Sequence, residues 1–386
     1  VVPTALDVER ENLPGLESMK LIRLSVPWLV FLLLLLCLPT NATAQAQVNT
    51  VNLAPWEIGP FVKCDDANPI LSPIPDGTFV DPMSGKSVAW EKDNVFNPGA
   101  VARGKNVYLI YRAEDDSGKG IGGHTSRLGI AVSRDGIHFK TFPSPVLFPD
   151  VDNQKAFDWP GGDEDPRIVD TGQHSYVMTY TSWNRNVARL SIATSSDLFH
   201  WTKCGPAFAK AFDGRFVDMH SKSGSIVTTL DKGHLIATKV DGKFWMYYGD
   251  GTISAATSDD LINWTPVLGP DGGLLPVLMP RPGDFDSRLA EAGPPGVLTK
   301  KGIVLLYNGM GDGGAYSGGE ALLDPTDPTK VIARPETCFI APERPYETNG
   351  QYAAGTVFVE GLVYFKKRWF LYYGAADSHV AAATTK

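Results

Sequence analysis

One strand pattern recurs five times along the chain and limits its fold more than any other feature. It reads Tyr108-Leu-Ile-Tyr111, Tyr176-Val-Met-Thr-Tyr180, Phe244-Trp-Met-Tyr-Tyr248, Ile303-Val-Leu-Leu-Tyr307 and Trp369-Phe-Leu-Tyr-Tyr373. The closing tyrosines fall 59 to 69 residues apart, a period that holds about four short strands with their turns. A second β-rich segment precedes each copy, at residues 100–102, 167–169, 225–227, 296–298 and 356–358. A third element follows the first three copies, at residues 131–139, 193–201 and 256–264, and carries Asp135, Asp197 and Asp260 in turn. An Asp so placed bonds the backbone two residues on and fixes a turn, which explains its recurrence without chemistry. The 39 glycines and 29 prolines supply further turns, and no stretch sustains a helical period. The expectation is an all-β chain: a five-bladed β-propeller over residues 93–386, preceded by an N-terminal strap at 45–92.

Residues 1–44 are expected to stand outside that fold, as an upstream segment plus a signal peptide. Lys20 and Arg23 precede an apolar run from Val26 to Leu38, and Ala42-Thr43-Ala44 offers the small residues a signal peptidase requires. The reading is a secretory signal starting at Met19 and cleaved after Ala44, which makes the protein secreted or periplasmic. A membrane-anchoring helix from Leu21 is the alternative, although the run is short for a bilayer span, and no stable membrane partner is expected. Beyond the signal, Cys64, Cys204 and Cys338 form an odd, sparse set with no disulfide framework. One pair can form, or three thiols can pack as small hydrophobes. The seven histidines show no metal-site spacing, so neither a metal nor another cofactor is expected. With 43 acidic against 35 basic residues, no cation excess is left to neutralise a phosphate backbone, and nucleic acid is excluded as an expected partner.

In a propeller the starts of the inner strands converge on one end of a central channel. The polar residues at those points are the candidates for chemistry. The first repeat offers Asn97-Pro-Gly, Arg112, Glu114, Asp115 and Asp116; the second offers Gly-Gly-Asp-Glu-Asp165-Pro-Arg167. The third offers His220-Ser-Lys222 and Asp250, the fourth Asp284, Asp286, Arg288 and Glu291, and the fifth Tyr352 and Asp377. Asp115 and Asp116 sit in a Gly- and Ser-rich loop and read as turn acids. Glu164-Asp165-Pro-Arg167 differs, because so dense a charged cluster entering an apolar strand is costly unless used. Carboxylates on several repeats suit glycoside cleavage, in which one acid protonates the leaving oxygen and another group activates water.

Over roughly residues 60 to 384 these motifs resemble glycoside hydrolase family 130. The resemblance is carried by Asn97-Pro-Gly with Tyr111-Arg112, Glu164-Asp165-Pro-Arg167, Lys222-Ser-Gly, Gly293-Pro-Pro295 and Tyr372-Tyr-Gly-Ala-Ala-Asp377. It implies a five-bladed propeller acting on β-mannosides, as a phosphorylase or as a hydrolase. It makes Asp165 the general acid, acting through a sugar hydroxyl in the phosphorylases. It places Asn97, Arg112 and Asp377 around the mannose of the −1 subsite and gives Arg167 a supporting role beside the acid. Arg167 itself, Lys222, Asp286 and Tyr352 complete the expected substrate-binding set.

The chain departs from the phosphorylases where they carry cations for phosphate. After the strand ending at Tyr248 it has Gly249-Asp250, and Ile236-Ala-Thr-Lys239 supplies no His. A carboxylate in such a place repels phosphate and polarises water, and Glu291 of the next repeat is positioned to share that water. Export agrees, since a sugar phosphate is useful inside a cell and poorly retained outside it. The expected activity is therefore an exported, inverting β-mannoside hydrolase acting on mannose-containing oligosaccharides, with Asp165 as acid and Asp250 or Glu291 as base. The linkage expected by resemblance is β-1,2. The alternatives are a phosphorylase releasing mannose 1-phosphate and a carbohydrate-binding propeller without catalysis, a role that does not need Asp165.

Overall fold

The structure is a computed structural model that describes residues 53–386. The expected signal peptide and the first residues of the strap lie outside the described residues. Those described are all-β, with only short helical turns such as Lys155–Asp158 and Pro345–Thr348. None of their helices is long and apolar enough to cross a membrane. Cys64, Cys204 and Cys338 are free thiols, and Cys204 is exposed rather than packed.

Antiparallel meanders follow one another along the chain. The first joins Asn94–Arg103, Asn106–Glu114, Ser126–Ser133 and Phe139–Thr141. The second joins Gly162–Asp170, Tyr176–Trp183, Ala188–Ser195 and Thr202–Pro206. The third joins Ser225–Ile226, Lys243–Tyr248, Ile253–Ser258 and Trp264–Pro266. In the fourth, Leu289–Ala292 and Val297–Thr299 both pair with Gly302–Met310, which Tyr316–Asp324 and Asp327–Ala333 follow. The fifth joins Val357–Phe365, Arg368–Ala375 and His379–Thr384. Its outer strand comes from the other end of the described chain, where Val62 pairs with Thr384 and Lys63 with Ala383.

The recurring aromatic segment is the second strand of every meander, and its residues are apolar on both faces because both faces are covered. Leu109 and Tyr111 pack with Phe370 and Tyr372 of the fifth meander, whereas Ile110 between them packs with Ile168 and Met178 of the second. The same arrangement continues round the chain. Val177 and Ile192 meet Met246 and Trp264; Tyr247 and Ile253 meet Leu305 and Tyr307; Leu306 and Leu322 meet Leu371 and Tyr373. Each core thus lies between two consecutive meanders, and the fifth meander packs on the first. Asp135, Asp197 and Asp260 fix turns as expected: one carboxylate oxygen of each accepts two backbone N–H bonds at 2.8 to 2.9 Å.

The first strands are interrupted near their starts. Register shifts fall between Phe96 and Pro98, between Glu164 and Arg167, and between Val359 and Gly361. Such a bulge re-aims the side chain it carries. Asn97 and Asp165 sit at two of these points with φ of 46° and 51°, a left-handed backbone that non-glycine residues seldom adopt. The strands crowd together here, and a Cβ on Gly99 would lie 2.4 Å from the carbonyl oxygen of Pro166.

Candidate active site

Asp165 is at the centre of the buried charges. Its Oδ1 accepts a 2.9 Å bond from Asn97 Nδ2 and lies 3.3 Å from Arg112 Nη1, and its Oδ2 lies 3.5 Å from Lys222 Nζ. Burial pushes this carboxyl up, but Lys222, Arg112 and the Asn97 bond outweigh it and hold Asp165 below the usual carboxylate range. Asn97 reaches it because Gly374 leaves room: a Cβ there would lie 2.0 Å from Asn97 Oδ1.

Arg112 connects Asp165 to further acids. Its Nη2 is 2.6 Å from Glu114 and 2.9 Å from Glu164, its Nε donates to Ser126 Oγ at 3.1 Å, and the guanidinium lies over Phe96. Burial first, then the charge of Asp165, pushes Glu164 up to about 7 against the pull of Arg112. Asp377 is likewise pushed up to about 7 by burial, with Asp165 and Glu114 adding to it and Arg112 opposing. Gln351 bridges the two sides, donating to Glu114 Oε2 at 3.1 Å and to the Asp377 carbonyl at 3.4 Å.

The other carboxylates stand on two short paired strands, Asp250–Gly251 and Leu289–Ala292, in which Asp250 is directly opposite Glu291. Cross-strand partners project to the same side of a sheet. Glu291 is buried and accepts a short hydrogen bond from Ser223 Oγ. Burial and the charge of Asp250 push it up to about 7, opposed by Lys222. Asp250 is the more open of the two, and His220 Nε2 lies 3.1 Å from its Oδ2. Burial alone would raise Asp250, but His220 and Lys222 hold it below the usual range, and His220 is raised in return. Lys222 therefore feels four carboxylates, Asp165, Glu291, Glu164 and Asp250, and is raised by their charges despite its burial.

Asn97, Arg112, Asp165, Lys222, Asp250, Glu291 and Asp377 are thus joined in one network of contacts and charges. Two expected ligands serve elsewhere. Asp286 is fully buried and held by Arg334 at 2.6 Å, by Arg281 at 3.0 Å and by the Tyr307 hydroxyl at 2.7 Å. It is committed to an ion-pair cluster rather than to the Asp165 network. Arg167 is buried, and its nitrogens donate to the carbonyls of Gly293 at 2.8 Å, Ala292 at 2.9 Å and Asp165 at 3.1 Å. It supports the backbone of Asp165 instead of presenting its guanidinium to a sugar. Tyr352 donates to the Gly314 carbonyl at 2.9 Å and packs on Tyr316, whose hydroxyl feels the charges of Glu291, Lys222 and Asp377.

Sequence reasoning offered Glu114 and Glu164 as candidates without assigning them a task, and it did not single out the side chains of Ser223, Gln351 or Glu360. For Glu360 a signal existed: Glu360-Gly361 stands at the start of a first strand, as Asn97-Pro98-Gly99 does. Among the described residues no group of His, Cys, Asp and Glu is arranged to hold a metal ion.

Comparison with known proteins agrees with this framework. The sequence model of a family described as beta-1,4-mannooligosaccharide phosphorylase matches residues 66–386. A 1,2-beta-oligomannan phosphorylase of Thermoanaerobacter sp. (strain X514) is 34% identical over 301 residues, 76% of this chain and 90% of the relative. A beta-1,2-mannobiose phosphorylase of the same organism is 31% identical over 327 residues, 82% of this chain and 94% of the relative. A solved structure is described by the words "The GH130 family of mannoside phosphorylases contains glycoside hydrolases that target beta-1,2 mannosidic linkages in Candida mannan". It is 51% identical with a TM-score of 0.85, covering 86% of this chain and 95% of its own. With a family match across nearly all the described residues and with these relatives, the chain belongs to glycoside hydrolase family 130.

Proposed function

We propose that the protein is a five-bladed β-propeller enzyme that hydrolyses β-1,2-mannosidic bonds in mannooligosaccharides by a single inverting displacement. The propeller reading is supported by the succession of cores, each between consecutive meanders, with the fifth packed on the first. The choice of water as acceptor rests on one observation, the facing carboxylates Asp250 and Glu291. A phosphate dianion entering beside them meets two acids, whereas a water molecule finds a base.

Glu291 is the better base. Its proton affinity near 7 suits proton abstraction at neutral pH, and the charge of Asp250 keeps it there. Asp165 is ionised in the free site, so its role as acid requires that substrate loosen the cation contacts. A sugar hydroxyl bonded to Asp165 in place of the 3.5 Å Lys222 contact does this and relays the proton. Asn97 and Arg112 then orient the sugar. Asn97 Oδ1 is a buried acceptor with no protein partner among the described residues, and it is suited to a sugar hydroxyl.

The phosphorylase reading has its own support. The two named curated relatives are phosphorylases, and His220 and Lys222 supply two cations beside the carboxylate pair. Product analysis on β-1,2-mannobiose with and without millimolar phosphate decides between them. Free mannose at an unchanged rate is the expected result; phosphate-dependent release of mannose 1-phosphate would establish the phosphorylase. Export on the signal at residues 19–44 belongs to the same proposal, and N-terminal sequencing of the protein recovered outside the cytoplasm should begin after Ala44.

A further inference from the structure

The interrupted first strands bring one more buried carboxyl, that of Glu360, against Arg167. At the bulge of the first meander Asn97 reaches Asp165, and just ahead of the third meander's first strand Ser223 reaches Glu291. In the fifth meander the register shift between Val359 and Gly361 leaves Glu360 at the corresponding point. Glu360 has no exposed surface. Its Oε1 is 3.4 Å from Arg167 Nη1, and its Oε2 has no partner among the described residues.

Arg167 is the strut of the site. It bonds the carbonyl of Asp165 on one side and, on the other, the carbonyls of Ala292 and Gly293, the two residues after Glu291. The spacing of acid and base is thus set through one guanidinium, and the acidic side chain seated against that guanidinium is Glu360. We propose that Glu360 is a positioning residue that fixes Arg167 and, through it, the separation of Asp165 and Glu291. This rests on the reading of those two residues as acid and base.

Burial pushes the Glu360 carboxyl well up, so its part is to accept a hydrogen bond and fill a shape more than to contribute charge. A glutamine can do both; an alanine or a leucine cannot accept. Misplacement of reacting groups by about 1 Å costs on the order of 10²-fold in rate.

The test uses the full chain and steady-state hydrolysis of β-1,2-mannobiose across pH. Glu360→Ala is expected to lower kcat by at least ~10-fold with KM changed by less than ~3-fold, since the loss is one of reaction geometry and not of substrate affinity. Arg167 lowers the proton affinity of Glu291, so a displaced Arg167 also moves the acidic limb of the profile to higher pH. Glu360→Gln should restore both kcat and the limb. If Glu360→Ala does not fold, Glu360→Leu, which keeps the volume, should show the same loss of kcat. A wild-type kcat in the Ala or Leu variant, a loss confined to KM, or a Gln variant as slow as the Ala variant would each overturn the proposal. Asp165→Asn and Glu291→Gln are measured alongside. If either retains full activity the acid and base reading fails, whereas Glu360 alone fails if both are inactive and its own variants are not.

Discussion

At the scale of the residue, the site contains six acidic side chains whose charge states are set apart by their neighbours. Asp165 and Asp250 are held ionised by cations, while Glu164, Glu291 and Asp377 are pushed up to about 7 by burial first and then by the charges of Asp165, Glu114 and Asp250. Glu360, with no exposed surface, is likewise pushed toward its neutral form by burial. Asp165→Asn keeps the shape but removes the ionisable group, so cleavage should fall by at least ~10²-fold with ligand binding retained, as steady-state rates and calorimetry will read. The base must be unprotonated, so kcat/KM should rise with pH through about 7, the value to which Glu291 is pushed. Asp250 raises Glu291 by like charge. Asp250→Asn should therefore move that limb to lower pH, and a profile unmoved by this change would remove Asp250 from the tuning of the base. Asp165 was readable in the sequence because it stands in a polar cluster at the head of an apolar strand, and Glu291 because it is the lone acid just ahead of Gly293-Pro-Pro295. Asp286 was misread because its partners Arg281 and Arg334 come together only in the folded chain. Arg167 was expected both to support the acid and to bind substrate, and the structure gives it the first role: beyond a bulge that alternation along the sequence does not reveal, it bonds the carbonyls of Asp165, Ala292 and Gly293.

At the scale of the element, the second strands were legible throughout, whereas of the first strands only the apolar stretches at 100–102, 167–169, 225–227, 296–298 and 356–358 were, and not their bulges. Tyr108–Tyr111 and its four counterparts carry aromatic and branched residues on both faces, and each became a strand between two cores. The first strands hold the site, yet their bulges interrupt the alternation that would identify them. Glu360-Gly361, set among valine and phenylalanine, looks like any polar break in a strand. Close packing of these strands gives a prediction of its own. Ala at Gly99 would put a methyl group 2.4 Å from the Pro166 carbonyl, next to the backbone that turns Asp165. Gly99→Ala should destabilise the fold by about 1–3 kcal/mol, as overpacking does, and lower kcat as well. Denaturant unfolding together with kinetics will separate the two effects, and an unchanged midpoint would contradict the packing described.

At the scale of the whole molecule, the two ends of the described chain are fastened in the fifth meander. Val62 and Lys63 form its outer strand, and Lys63 Nζ reaches the fully buried Glu347 at 2.7 Å and the Ala341 carbonyl at the same distance. Glu347 also accepts from the Tyr373 hydroxyl at 2.8 Å, so the pair ties an early segment to the strand Arg368–Ala375. Lys63→Met leaves Glu347 buried without its cation and should cost about 3–5 kcal/mol; equilibrium unfolding by urea measures it, and a loss below 1 kcal/mol would show that the fastening lies elsewhere.

The same pairing imposes an order of events on synthesis. Val62 cannot find Thr384 until more than three hundred intervening residues have been made, and contacts so distant in sequence form late. Until the fifth meander is made, the first has one face uncovered, and the fifth lacks its outer strand until Val62–Lys63 joins it. The ring of meanders therefore closes last at the place where it began, once His379–Thr384 has been made and Val62–Lys63 can pair beside it.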